Sequence, residues 1–585
     1  MKQITKRLVL LGIVSLALTS CELSFNPFDF SGWGNSNTSS DTSDDTSSNG
    51  DNTSSSEDGS SSSNGGASST SSGDSTNSSS STSSSSSSSS SAQPVLPDPD
   101  ELTATKPSST YMNISQNNPS GKASTPSVNK AKLLVIPVWF ENDSANYINE
   151  SKKEDLKKDI ETAYFGTNEE TGWRSVKTYY EEESHGALTI SGTVSDWYTE
   201  TRSVSQFASE SNGSNMTKSL ASTASNWYFN NNPSESRSDY DLDSDGYLDG
   251  VMLIYAYPDY SALGNYSYRN LWAYCFWVAG NNASYLSPKA NQYFWASYDF
   301  MFSYGTAAEH TGKSRRGSGH TDHCNIDAHT YIHEMGHMFG LDDYYDYSQQ
   351  YNSAGGFSMQ DHNIGGHDAY SVLALGWGEA YIPTETVTIN LKPMQSSGEM
   401  ILLTPEWNEH NSPFDEYLLL EYYTPTGLNE FDTNYRYGNY VQGPNTRGIR
   451  LWHVDARLTS YRGSYTFSGL LTNPNDKTGY GVVTAMTNTY NGNGVSSGYL
   501  SPLGSEYYNF NLLQLIHNDK TIDSSASKRN LSAESLFKTN DTFDMSSYGD
   551  QFYRNGKLNS NSDLGFTFTV NGFTDEFASI TVTKI

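Results

Sequence analysis

The apolar positions of this chain fall into distinct regimes. Residues 133–140 (LLVIPVWF) are an unbroken apolar run, which predicts a buried strand. Residues 152–165 put Leu156, Ile160 and Tyr164 on one face, the spacing of an amphipathic helix. Residues 173–180 read as helical, Ser184-His-Gly186 as a turn, and 187–194 alternate as a strand does. A further strand is expected at 251–255 and a closing helix over 365–377. Strands and helices thus alternate over 129–384, an α/β (α+β) arrangement. Aromatic residues crowd 266–304, where they are expected to pack the core and a cleft wall. From residue 386 the pattern changes to short strands, at 386–391, 399–403, 417–422, 448–454, 566–570 and 578–582. That rhythm predicts a β-rich, sandwich-like domain over 385–585. Ahead of the folded part, 32–100 is Ser, Thr, Asn, Gly and Asp, and 21–128 is expected to be a disordered tether.

One segment, 326–347, carries the candidate chemistry. Ala328, Ile332, Met335 and Phe339 recur at helical spacing and would seat a helix on the core. The same helix carries His333-Glu334-Met-Gly-His337, an H-E-x-x-H. Residues four apart share a helix face, so His333 and His337 can bind one metal ion, with Glu334 beside them as the base. Zinc suits two imidazoles, an oxygen ligand and an open position for water. Gly340 follows, a residue that lets a helix end and the chain double back. Asp343 then completes H-E-x-x-H-x-x-G-x-x-D, which resembles the metzincin pattern with a carboxylate in place of its third histidine. His329, Asp342 and Asp346 are rivals for that third position. Met359 lies in a glycine-rich turn downstream and resembles the Met-turn beneath such zinc sites.

Composition narrows the setting. The charge is 35 − 66 = −31, which argues against nucleic acid as a partner. Residues 1–20 have a basic start and an apolar core too short to span a bilayer, the mark of a secretory signal. The signal ends Leu18-Thr-Ser-Cys21, similar to a bacterial lipobox, so Cys21 is the expected site of lipidation and membrane anchoring. Cys275 and Cys324 can form one disulfide or stay as buried thiols. Asp241, Asp243, Asp245 and Asp249 follow part of an EF-hand spacing, but position twelve is Met252 and a strand follows. The loop is either a structural Ca²⁺ site or an acidic Asx turn.

Several segments together resemble the immune inhibitor A family of bacterial secreted metallopeptidases. They are the zinc segment 333–343, the opening strand 133–140, 176–188 (VKTYYEEESHGAL), the acidic loop and strand 241–254, and 448–455 (GIRLWHVD). The resemblance implies a metzincin-like fold, zinc held by His333, His337 and Asp343, and Glu334 as catalytic base. Leu341-Asp342 replaces the Leu-Pro of many relatives, and Ser-Met-Gln-Asp-His replaces the more usual turn sequence. The implied protein is a monomeric, lipid-anchored zinc endopeptidase on the outer face of a bacterial membrane, acting on extracellular proteins or peptides. Two alternatives are a surface-binding lipoprotein that keeps the fold without catalysis, and a zinc hydrolase for a non-peptide bond.

Overall fold

The computed structural model describes residues 96–107, 125–209, 215–278, 283–302, 324–346, 352–407, 410–436, 441–462, 466–474, 481–488, 505–520 and 530–585. The signal segment with Cys21, the serine-rich run, and His310, His320 and His323 lie outside the described residues.

The first sheet is built on β1 (Asn129–Phe140). It pairs in parallel with β2 (Leu188–Val194), β3 (Tyr198–Glu200) and β4 (Gly250–Tyr255). β4 pairs in parallel with β6 (Gln292–Ser297), and β5 (Tyr274–Trp277) closes the edge antiparallel to β6. The order is β2-β1-β4-β6-β5, with β3 alongside β1. Because side chains alternate along a strand, β1 feeds two cores. Leu134, Ile136, Val138 and Phe140 meet the helix α3 (Asn215–Asn231) through Leu220, Ala221, Ala224 and Tyr228. Leu133, Val135 and Trp139 face the opposite way, towards α1 (Lys153–Phe165), α2 (Val176–Glu183) and α4 (His329–Phe339). The aromatic stretch 266–304 contains both β5 and β6; Tyr293 and Trp295 are wholly buried there. The closing helix is shorter than expected. It is α5 (Ala369–Ala374), started by the Asp368 side chain, which accepts the N–H of Ser371.

The C-terminal region is β-rich, as its rhythm predicted. β7 (Glu379–Tyr381), β9 (Glu399–Leu403), β10 (Glu416–Tyr423), β11 (Gly448–Asp455) and β15 (Leu513–Ile516) form one sheet in the order β15-β11-β10-β9-β7. A second sheet has the order β16-β17-β18-β8, from Thr542–Phe543, Phe566–Phe573, Ala578–Lys584 and Val387–Leu391. A third is β13-β12-β14, from Thr466–Leu470, Leu458–Arg462 and Gly481–Thr484. Alternation divides β10 between two cores. Leu418, Leu420 and Tyr422 share a cluster with β8, β17 and β18. Tyr417, Leu419 and Tyr423 join the cluster that holds α4. On that same side Glu421 and Arg450 form a fully buried ion pair, and Glu421 also accepts the N–H of Ala369 at 3.0 Å. The β-rich region is thus welded to the core under α4.

Two parts of the expected tether are ordered. Thr105 bridges to Ala380, the N–H of Asp100 donates to Thr388 O, and Leu102 packs on the second β core. Thr125 donates to Met338 O, and Ser127 O accepts from the Trp377 indole. Polar residues here find partners at sheet and helix margins, which a reading from composition does not capture. Among the described residues no helix is long and apolar enough to cross a membrane.

Candidate metal centre

The centre starts from the seating of α4. Ala328, Ile332, Met335 and Phe339 are all buried to 1% exposure or less, so the apolar stripe fixes the rotation of the helix. His333 and His337 therefore stand one turn apart, with ring centroids 5.0 Å apart and planes at 89°. Gly340 takes φ 105°, a left-handed conformation that glycine adopts without a Cβ clash. Its N–H donates to His337 O and that of Leu341 to Gly336 O, which closes the helix and turns the chain back. The turn brings Leu341 O to 2.8 Å from His337 Nδ1. It also brings Asp343 Oδ1 to 3.0 Å from His333 Nε2 and 3.2 Å from His337 Nε2.

Both Nδ1 atoms are held by carbonyls, His337 by Leu341 and His333 by Met359 O at 2.7 Å. A carbonyl only accepts, so each ring keeps a proton on Nδ1, and Nε2 is the nitrogen whose lone pair a metal would take. Two Nε2 atoms and a carboxylate oxygen then converge on one point. Ligand atoms around a tetrahedral zinc ion stand about 3.3 Å apart, close to these separations. The donor set thus fits zinc, and the three residues can hold a metal ion together. Without an ion, burial lowers the His337 pKa, but Asp343 and Glu334 outweigh it and raise it to about 10. Burial alone would raise the Asp343 pKa; His337 and His333 reverse that and hold it well below the carboxylate range.

Glu334 is 7% exposed, and the backbone N–H of Cys275 on the edge strand β5 donates to its carboxylate. Burial raises its pKa, opposed by His337 and His333. Cys275 and Cys324 are free thiols, which resolves the choice left open by the sequence.

The rivals for the third position turn elsewhere. His329 Nε2 is bonded to Asn363 O at 3.1 Å, and Asp342 accepts from the Thr484 hydroxyl at 3.1 Å. Asp346 is 2% exposed and does not join the group of His333, His337 and Asp343. Tyr344 and His362 stand close to the centre along the chain, where a donor to a developing oxyanion would be sought. Tyr344 is wholly buried with its hydroxyl 2.9 Å from Ser371 Oγ, so its role is structural. His362 pairs with Asp361 at 2.9 Å, and its ring lies 4.5 Å from that of Tyr345. Tyr345 in turn stacks on His333 at 6.4 Å and 27°, a neighbour that the pattern of the segment did not single out.

Met359 is fully buried, and its contribution to His333 is its carbonyl. The turn packs on α4 closely at Gly336, where an added Cβ would lie 2.2 Å from Gln360 Oε1. That glycine inside the H-E-x-x-H admits the turn.

In the acidic loop, Asp241, Asp243 and Asp249 come together. Asp245 does not join them, and its carboxylate caps the N–H of Tyr247 at 2.8 Å. Asp241 accepts from the backbone of Asp245 and Gly246, and Asp249 from Leu242 and Lys132. Burial pushes Asp243, Asp245 and Asp249 up to about 6, 7 and 8.

Residues 121–362 match the family model described as immune inhibitor A peptidase M6, catalytic domain. The matched stretch contains His333, Glu334, His337, Asp343 and Met359, together with the acidic loop. No curated protein matches the chain.

Proposed function

From the match of residues 121–362 to the immune inhibitor A peptidase M6 catalytic domain, we propose that this chain is a zinc-dependent endopeptidase of that family, tethered to a cell surface and acting on extracellular proteins. The observation that carries the zinc reading is the convergence of His333 Nε2, His337 Nε2 and Asp343 Oδ1, with both Nδ1 protons committed to carbonyls. A zinc ion held there supplies Lewis acidity, which acidifies water and polarises a peptide carbonyl. Glu334 is the general base. Its carboxylate takes the proton of the attacking water and returns it to the departing amine nitrogen. The Cys275 N–H orients that carboxylate, and burial raises its affinity for the proton that it must hold between the two transfers.

The fold around the site supports a metzincin-like reading, with the zinc helix under a sheet whose edge strand β5 is antiparallel and a methionine turn beneath His333. The shared core of β8–β11 with β17 and β18 supports a sandwich-like C-terminal domain. The acidic loop is read as a calcium site of structural role, because the buried carboxylates of Asp241 and Asp249 and the half-buried one of Asp243 come together there. The lipobox-like end of the signal supports an anchor at Cys21. The activity is tested by chelating the purified chain, restoring zinc, and mapping the cleavage products of an unfolded protein by mass spectrometry. Internal cuts that vanish with chelation and return with zinc are expected. Zinc-independent cleavage, or zinc-loaded protein that cuts no polypeptide, would contradict the proposal.

A further inference from the structure

The two histidines of the centre are placed by a helix, but Asp343 is not. It lies in the segment 341–346, which has no regular structure, and its reach to the Nε2 atoms depends on what holds that segment. The residues on either side of Asp343 are fastened by the C-terminal region. Asp342 Oδ2 accepts the hydroxyl of Thr484, the last residue of β14, at 3.1 Å. Tyr344 O accepts Asn488 Nδ2 at 3.0 Å. Asn488 is 1% exposed and is itself locked to β15, donating to Leu513 O at 2.8 Å and accepting the Leu513 N–H at 3.1 Å. The peptide that joins Asp343 to Tyr344 is tied to the methionine turn, since the Tyr344 N–H donates to Gln360 O at 2.8 Å.

We infer that Thr484 and Asn488 are positioning residues for the metal centre, and that the β-rich C-terminal region holds Asp343 in place rather than serving as a separate appendage. This rests on the zinc reading of the centre. The fixed carboxamide of Asn488 satisfies both backbone groups of Leu513 and still has an N–H for Tyr344 O, a role that other side chains cannot fill with the same geometry. Thr484 removes the freedom of Asp342, whose carboxylate could otherwise swing towards the histidines and compete with its neighbour. Losing a group that hydrogen-bonds a metal ligand weakens metal affinity about 10–100-fold; Thr484 and Asn488 hold the residues on either side of the ligand, which places their effect at the lower end of that range.

The test measures zinc affinity of the full-length chain by competition with a chromogenic chelator, alongside far-ultraviolet circular dichroism and thermal unfolding of the metal-free protein. Thr484→Val keeps the shape and deletes the hydroxyl, Thr484→Ser keeps the hydroxyl, and Asn488→Ala deletes the carboxamide. Gln551→Ala is the control, because Gln551 makes buried hydrogen bonds to the backbone of His517 in the same region. The expected result is zinc binding weakened about tenfold in Thr484→Val and Asn488→Ala. Thr484→Ser should stay near the wild type, and Gln551→Ala should lose thermal stability without losing zinc affinity. Thr484→Val is close to isosteric, so the test stands even where Asn488→Ala does not fold. Wild-type binding of one zinc with unchanged affinity in Thr484→Val would overturn the inference and leave the zinc reading intact. A wild-type chain that takes up no zinc would overturn the zinc reading and the inference with it.

Discussion

At the residue scale, the carbonyl contacts of Leu341 and Met359 decide what zinc must displace. With Nδ1 of His337 held by Leu341 O, the proton that Asp343 attracts sits on Nε2, the atom a metal needs. The metal-free pKa of about 10 means that His337 is protonated at neutral pH. Zinc uptake therefore releases about one proton, and the apparent affinity should rise about tenfold per pH unit between pH 6 and 8. Isothermal titration in buffers of different ionisation enthalpy measures that proton directly. Affinity independent of pH would contradict the raised pKa of His337 and leave the Nδ1 tautomer untouched. Met359 acts on His333 through its backbone, so Met359→Leu should retain zinc and cost under about 1.5 kcal/mol, read by denaturant unfolding. Gly336→Ala should cost more, about 1–3 kcal/mol, because the new methyl meets the Gln360 side chain. The grouping of His333, His337 and Asp343 was legible in the sequence because all three residues lie within one short segment that folds locally. Thr484 and Asn488 were not, because their contacts to the segment span 142 and 144 residues.

At the scale of elements, α4 was legible from its stripe alone. Ile332 is fully buried at the centre of that stripe, and Ile332→Ala should cost about 2–5 kcal/mol in an unfolding titration. β5 and β6 were hidden by their composition. Their aromatic residues are buried on both faces, so no alternation marks them as strands. α5 ends early because its neighbours are glycines and an N-cap aspartate, leaving little of 365–377 to form a helix. The acidic loop carries its own prediction. The folded pKa values of Asp243, Asp245 and Asp249, about 6, 7 and 8, lie above their ordinary 3.8. The folded state therefore binds more protons than the unfolded one over that window, and stability falls as pH rises through it. Without divalent cations the melting temperature should drop from pH 5.5 to 8.5, and calcium should flatten that slope. A slope that calcium leaves unchanged would remove the case for a cation in the loop.

At the scale of the molecule, the α/β-then-β order was legible because the strand rhythm changes near residue 386. The weld between the two parts was not. One cluster runs from β1 and α4 through Tyr417, Leu419 and Trp452 to Leu515, and nothing local in those strands announces which face meets which core. The buried Glu421–Arg450 pair makes the same point, since its members belong to one region and its acceptor capacity is used by Ala369 of the other. The central claim is that this joined structure holds a zinc ion whose chemistry runs through Glu334. The measurement that tests it most directly is zinc content and protein hydrolysis on the same preparations of wild type and Glu334→Ala. One zinc per chain in both, with internal peptide cleavage in the wild type alone, is the predicted result. Cleavage that survives in Glu334→Ala, or a wild type without zinc, would contradict it.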